Sequence, residues 1–494
     1  MEIIFRKGAP TLKDGLCIPV FVEKKLSPDL QVDKQVQEQL HSILKKHSFT
    51  GKVGELLEVV GTSPQIILFG MGSKKELEAS TVSHTGAKLL QKLEALHMQN
   101  ASIAWSDDIS TNKDTSAQLA LEFVMGLQMR AYRFDHYKTK QQEKDKPSLK
   151  QVILYSSHAT ELAKDYIEAE AILEGIFLNR DLLNEPPNIL NPQSFAERVK
   201  LLTKQGLKVK ILDEKELKKI GMEALLAVGS GSKTPSCVAI MEWKNGPADQ
   251  KPLAFVGKGV TFDTGGLSLK PRDIMAEMKF DMGGAALVTG LMHSLARRKA
   301  KVNALGVIGL VENVVDSESY RPADILKSLS GQTIEVLDTD AEGRLVLADI
   351  LTYTQDTFDP ALMVDVATLT GAMLVCLGHE FAGLYTTDDK LAKQLYEAGL
   401  KVDEKVWRLP LHKNYHKLME SKIADMKNIG PPMNAGSTQA AEFLHRFIKK
   451  TPWAHIDIAG VAMLVGDHPL SGHNPPGYGV RLFNTFIKDN YEKH

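Results

Sequence analysis

Cysteine is scarce: three in 494 residues, Cys17, Cys237 and Cys376, far apart and with no Cys-x-x-Cys pair. That excludes a disulfide scaffold and fits reduced thiols in a cytoplasm. No sign of charge dominates, since 60 Lys and Arg face 61 Asp and Glu for a net −1. No global field therefore draws the chain to nucleic acid or anionic lipid. An apolar leader is also missing. Met1-Glu2-Ile3-Ile4-Phe5-Arg6-Lys7 brings charge in too early for the start to act as a signal peptide. Long hydrophobic runs are absent as well. The most membrane-like stretch, Ala361 to Gly378, is broken by Asp365, Thr368 and Thr370. It predicts a buried strand, a loop and further core, and no membrane association. Aromatics are few, at 6%. What is present, 43% hydrophobic and 24% charged residues, is the balance of a soluble globular chain of roughly two to four domains.

Apolar runs alternate with helical spacing. Leu16–Val22, Gln65–Gly70, Ala101–Trp105 and Val152–Tyr155 predict strands, and Asp33–Lys46 and Ser83–Met98 predict helices. Lys138–Lys150 is nearly devoid of apolar residues and predicts a solvated loop. A long helical pattern then runs to Leu183 and stops at Pro186-Pro187. Beyond it, strands are predicted at Val209–Leu212, Cys237–Glu242, Leu253–Val256, Ala304–Leu310, Leu362–Val366 and His455–Ile458. Helices are predicted near Phe195–Lys204, Gly284–Arg298 and Ala323–Leu329. The fold class is α/β with two α/β domains: a smaller N-terminal one with a mixed sheet, residues 1–157, and a larger C-terminal one, residues 184–494, with a central twisted sheet flanked by helices. Residues 158–183 form the connecting helix.

Ligands of open α/β sheets sit at the carboxyl ends of strands. There the apolar run 253–256 turns into Gly257-Lys258-Gly259-Val260-Thr261-Phe262-Asp263. Lys258, Asp263, Asp281, Asp340 and Glu342 stand in apolar or glycine-rich surroundings, with Lys270 and Arg344 nearby. Burying four carboxylates without partners costs several kcal/mol each or forces proton uptake. Two divalent cations would balance them. Oxygen ligands suit Mg, Mn or Zn, and ions about 3.5–4 Å apart activate a bridging water. No His or Cys belongs to the cluster, against a structural zinc site. A lysine ligand needs a neutral amine, against a reference pKa of about 10.4, and two adjacent dications supply that depression. Singly, each residue has a plainer reading: Asp340 and Glu342 as acids at a helix start, Asp281 as a helix cap, Lys258 and Lys270 as loop lysines.

The segments GKGVTFDTGGLSLK (257–270), MKFDMGGAA (278–286) and DTDAEGRLVLAD (338–349), in that order, resemble the leucyl (cytosol) aminopeptidase family, metallopeptidase family M17. YRFDHYKTK (132–140), NRDLLNEPPN (179–188), VDVATLTGA (364–372) and HIDIAG (455–460) extend the resemblance over essentially the full chain. It implies that the C-terminal domain is the catalytic one, a metallo-exopeptidase releasing N-terminal residues, preferably Leu or similar, from peptides. It implies two divalent ions per subunit, Mn²⁺ or Zn²⁺. One would sit on Lys258, Asp263, Asp281 and Glu342, the other on Asp263, Asp340 and Glu342 with the Asp340 carbonyl. Lys270 and Arg344 match the catalytic positions: a bridging hydroxide would attack a carbonyl polarised by Lys270, and Arg344 would hold a bicarbonate base. Met278, Thr368, Gly371 and Ala459 match the side-chain pocket. Ala462 stands where a bulkier residue is common, and Asp338 where Asn is. The family also implies a homohexamer of two stacked trimers.

Some family members bind DNA, and Lys138–Lys150, five lysines against two acids, is the sole candidate for such a role. The neutral net charge argues against it. Gly229–Thr234 lacks the glycine before Lys233 that a phosphate loop requires. His379, His468 and His473 have no partner spacing and predict surface or loop roles. Met419, Met426 and Met433 predict gap-filling or loop residues.

Overall fold

Each half of the chain folds its alternating apolar runs and helices into a mixed sheet. The computed structural model describes residues 1–494 except 11–14, 23–25, 27–31, 33, 61, 63–64, 110–114, 464–465 and 493–494. The chain divides into two units, Met1–Leu173 with Gly466–Asn474, and Glu174–Val465 with Pro475–His494. The expected connector is the helix Ala159–Asn184, and the division falls inside it.

The first unit holds strands β1 (Glu2–Arg6), β2 (Gly15–Phe21), β3 (Leu56–Val59), β4 (Ile66–Gly72), β5 (Asn100–Ala104) and β6 (Gln151–Tyr155), ordered β1-β6-β5-β2-β4-β3. All neighbours are parallel except β3 on β4. Every residue of β2 and β4 is buried, which is why these strands read as unbroken apolar runs. Cys17 enters the core beneath the helices Ala79–Ala95 and Ser116–Ala131. Leu16, Ile18 and Val20 enter the one beneath Lys34–Lys46, so both sheet faces are covered. Lys138–Lys150 is loop with one short turn, Glu143–Asp145. Its Lys138 pairs with Asp135 at 2.8 Å and Lys146 with Glu143 at 2.7 Å.

The second unit holds β7 (Lys208–Leu212), β8 (Cys237–Lys244), β9 (Leu253–Asp263), β10 (Asn303–Asn313), β11 (Ile325–Lys327), β12 (Thr333–Glu335), β13 (Leu362–Ala367), β14 (Ala382–Tyr385), β15 (Val406–Arg408), β16 (Met426–Lys427) and β17 (Trp453–Asp457). Eight form the order β15-β14-β17-β13-β9-β10-β8-β7, and β11-β12-β16 form a small sheet. The four central strands, β17, β13, β9 and β10, are mutually parallel. Leu253 and Phe255 of β9 face one apolar core and Ala254, Val256 and Val260 the other.

Three local expectations are corrected. First, β9 does not stop at Val256 but continues through the glycine-rich segment to Asp263. Gly257 and Gly259 serve close approach: a Cβ on Gly257 would lie 2.8 Å from the Gly284 carbonyl, and one on Gly259 2.6 Å from that of Gly309. Second, Ala323–Leu329 is not a helix. Ala323 has a φ of +78°, and Ile325–Lys327 pair antiparallel with β12 through a turn closed by Ser328 N–H to Gln332 C=O at 2.9 Å. Third, the stretch after β13 is not all core. The helix Gly371–Leu377 buries only Met373, and Val375 is 90% exposed. Cys17 and Cys237 are buried thiols and Cys376 an exposed one. Among the described residues no helix is long and apolar enough to cross a membrane.

Candidate metal centre

The acidic residues meet at the carboxyl ends of the central parallel strands. Asp263 ends β9, Asn313 ends β10, Thr368 follows β13 and Asp457 ends β17. Lys258 lies within β9 and points its amine to the same place. Asp281 sits between a short turn, Ala276–Phe280, and the helix Gly283–Arg297. Asp340 and Glu342 come from the loop before the helix Gly343–Phe358, with Glu342 as its first flanking residue.

Carboxylate oxygens of Asp263, Asp340 and Glu342 lie within 4.8 Å of one another. Lys258 Nζ ties Asp281 to this group, 2.7 Å from Asp281 Oδ1 and 2.8 Å from Glu342 Oε1. It also donates to the Thr368 carbonyl at 2.9 Å. Lys270 Nζ lies 2.8 Å from Asp263 Oδ2 and pairs with Asp340 as well. Gly343 leaves room for this packing, since a Cβ there would fall 2.5 Å from Lys258 Cε.

Four carboxylates thus share two ammonium groups. Burial, joined by repulsion from Glu342, pushes the Asp263 and Asp340 carboxyls up, Asp340 to about 7. Asp281 is raised well above the carboxylate range, burial outweighing the pull of Lys258. Its Oδ2 is buried and accepts no hydrogen bond from the described residues. For Glu342, burial is outweighed by the Lys258 and Lys270 ammoniums, which hold it below its ordinary value. Burial likewise acts to lower Lys258, but Asp281, Glu342 and Asp263 raise it. An uncompensated negative charge in a site with an unused buried oxygen fits divalent cations on the chemistry of its donors.

Residues outside the sequence-predicted set hold these side chains in place. Asn313 donates through Nδ2 to Asp263 Oδ1 at 2.7 Å and to the Thr339 carbonyl at 3.1 Å. The same Thr339 carbonyl accepts the Tyr320 hydroxyl at 2.7 Å. Asn428 accepts the Leu337 N–H at 2.8 Å and donates to the Asp338 carbonyl at 2.5 Å, clamping the loop. Its own carbonyl accepts from Arg344 Nη1 at 2.8 Å. Arg344 is 5% exposed, its Nε meets no acceptor among the described residues, and burial pulls its guanidinium down to about 10. Asp338 uses its carboxylate locally, accepting the Asp340 N–H at 2.9 Å, a bond an Asn oxygen makes equally well.

Of the expected pocket residues, Thr368 is drawn into the acidic cluster, donating to Asp281 Oδ1 at 2.8 Å. Gly371 is exposed, with nothing within 4 Å of where its Cβ would be. Met278 and Ala459 are half-buried, and Ala462 is buried in the core beside Gly283. Asp457 organises this side: its carboxylate accepts from Leu369 N–H at 3.1 Å, Thr370 Oγ1 at 2.7 Å and Ala459 N–H at 3.1 Å. His379 and His468 serve loop geometry, His379 Nδ1 lying 2.6 Å from the Gly460 carbonyl and His468 Nδ1 accepting the Leu470 N–H at 3.2 Å. Met419 and Met426 are core residues, while Met433 is fully exposed.

The profile of the "Cytosol aminopeptidase family, catalytic domain" matches residues 177–484, and that of the same family's N-terminal domain matches residues 17–141. The chain is 48% identical over 451 residues to a "Probable cytosol aminopeptidase" of Sinorhizobium fredii, covering 90% of each. Against a "Probable cytosol aminopeptidase" of Rhizobium etli it is 46% identical over 501 residues, covering 99% of each. Among solved structures it is similar to "Bottromycin maturation enzyme BotP in complex with Mn", with a TM-score of 0.84 and 29% identity over 97% of this chain and 99% of that one. With both domains matched and an acidic cluster suited to divalent cations, the chain belongs to the cytosol aminopeptidase family, M17, of metal-dependent aminopeptidases.

Proposed function

We propose that this aminopeptidase removes leucine or a similar apolar residue from the N-terminus of peptides, using two divalent ions per subunit, Mn²⁺ or Zn²⁺. The observation that carries this reading is charge: Asp263, Asp281, Asp340 and Glu342 converge, and among the described residues the ammonium groups paired with them are those of Lys258 and Lys270. Lys258, Asp263, Asp281 and Glu342 would hold one ion, and Asp263, Asp340 and Glu342 the other, with the Asp340 carbonyl. Ions held there supply Lewis acidity, polarising a carbonyl and lowering the pKa of a water towards about 7. Lys258 would ligate as a neutral amine, since cations among the carboxylates would cancel the charges that otherwise keep its proton on.

Lys270 donates to the substrate carbonyl oxygen as negative charge develops there. Arg344 would hold a bicarbonate, whose chemistry is to accept a proton, and its planar fork suits a bidentate oxyanion. Met278, Thr368, Gly371 and Ala459 line the pocket for the departing residue's side chain. The protein works in the cytoplasm as a homohexamer on peptides, without membrane or nucleic-acid partners. For the latter, Lys138 and Lys146 are already paired with neighbouring acids. Chelation is expected to abolish hydrolysis of a leucine anilide, and Mn²⁺, Zn²⁺ or Co²⁺ to restore it. Full activity of Glu342→Ala in chelator overturns the reading, and a monomer mass in sedimentation overturns the hexamer.

A further inference from the structure

Away from the acidic centre, Glu442 and His445 lie one turn apart on the helix Gly436–His445, so they share a face. His416, on the short helix Lys413–Lys417, meets that face. One donor atom from each of the three lies within 4.8 Å of the others. We propose that His416, Glu442 and His445 form a further divalent-metal site that takes a nitrogen-preferring ion such as Zn²⁺.

The three side chains are already arranged as ligands with supports behind them. Glu442 is 3% exposed; its Oε1 accepts the His412 N–H at 2.6 Å, leaving Oε2 directed at His416 Nδ1, 3.2 Å away. His412 itself is occupied, its Nδ1 accepting the Asn414 N–H at 3.2 Å. The His445 ring stacks on Trp453 at 5.6 Å and 10°, which fixes its plane, and Trp453 is anchored by its Nε1 donating to Asp365 Oδ2 at 2.7 Å. Arg446, next to His445 in sequence, donates to the His416 carbonyl at 2.7 Å.

Tetrahedral bonds of about 2.0–2.2 Å put ligand atoms roughly 3.4 Å apart, a rotamer adjustment from the present spacing. Two imidazoles, one carboxylate and an open fourth position suit zinc, whereas the acidic centre offers oxygens and one amine. An ion here would tie the His416 helix to the one carrying Glu442 and His445.

The test is equilibrium dialysis of the full chain, stripped by chelator, against Zn²⁺. The wild type is expected to bind one ion per chain more than His416→Gln or His445→Gln, with leucine anilide turnover in Mn²⁺ unchanged in both. Crystals of the wild type soaked in Zn²⁺ are expected to show an anomalous peak among the three side chains. Equal ion counts in all three proteins, or no peak at that position, overturn the proposal and leave a His416–Glu442 hydrogen bond only. The readout is an ion-count difference, so it stands or falls apart from the peptidase reading.

Discussion

Asn313 Nδ2 sits 2.7 Å from Asp263 Oδ1, so the last residue of β10 fixes the carboxylate at the end of β9. The same amide bonds the Thr339 carbonyl and thereby couples both strands to the loop bearing Asp340. Asn313→Ala is expected to weaken metal binding by about 10–100-fold, the usual effect of losing a group that orients a ligand. The Mn²⁺ activation curve should shift to higher concentration while kcat recovers at saturation. An unmoved curve would show that Asp263 needs no such support.

Lys270 is 11% exposed and its ammonium faces Asp263 and Asp340. If it stabilises charge that exists only in the transition state, Lys270→Ala lowers kcat by about 10²–10³-fold with KM little changed. Steady-state kinetics on leucine anilide checks this. A rise in KM alone would assign Lys270 to substrate binding.

The centre was legible because its residues recur together: Lys258 or Asp281 alone has a plain reading as a loop lysine or a helix cap, but several charged residues in apolar or glycine-rich surroundings, in three motifs in order, do not. The supports were not. Asn313, Asn428 and Asp457 act across 50, 90 and 88 residues of chain, on Asp263, Asp338 and Leu369, and an isolated Asn or Asp carries no spacing signal. Helices divided the same way. Lys34–Lys46 has one apolar face, and its spacing predicts a helix at Asp33–Lys46, while Ser116–Ala131 is apolar nearly all round and shows no such period. Its start did carry a signal, the reciprocal capping of Thr115 and Gln118. Glu442 and His445 show the converse failure. Their spacing was visible, but His416, which gives it meaning, lies in a separate helix.

Asp457 holds Leu369, Thr370 and Ala459 together on the side of the proposed substrate pocket. Asp457→Ala removes all three acceptor contacts without touching the acidic cluster. A hydrogen bond to a charged group is worth about 1.5–3 kcal/mol, so KM for the leucine substrate is expected to rise about tenfold or more. Metal content should stay at the wild-type value. Loss of metal with the substitution would mean that the β17 end supports the centre directly.

Asp349 provides the pH test, about two helical turns beyond Glu342. Its carboxyl is fully buried in the helix Gly343–Phe358, accepting the Leu225 N–H at 2.9 Å and the Leu329 N–H at 2.8 Å. Burial outweighs those bonds and pushes it up to about 7, against about 3.9 in an unfolded chain. A raised carboxyl binds its proton more tightly when folded. Its contribution is therefore fully present below about pH 4 and is lost as pH rises through 7, on the order of a few kcal/mol in all. Asn keeps the shape but turns a donor NH2 towards one of the two backbone N–H groups, a cost that is the same at every pH. Asp349→Asn is accordingly expected to unfold below the wild type near pH 4, to gain on it as pH rises to about 7, and to hold a constant difference above that. If the two backbone N–H groups instead kept Asp349 ionised, the variant would gain nothing on the wild type between pH 4 and 7.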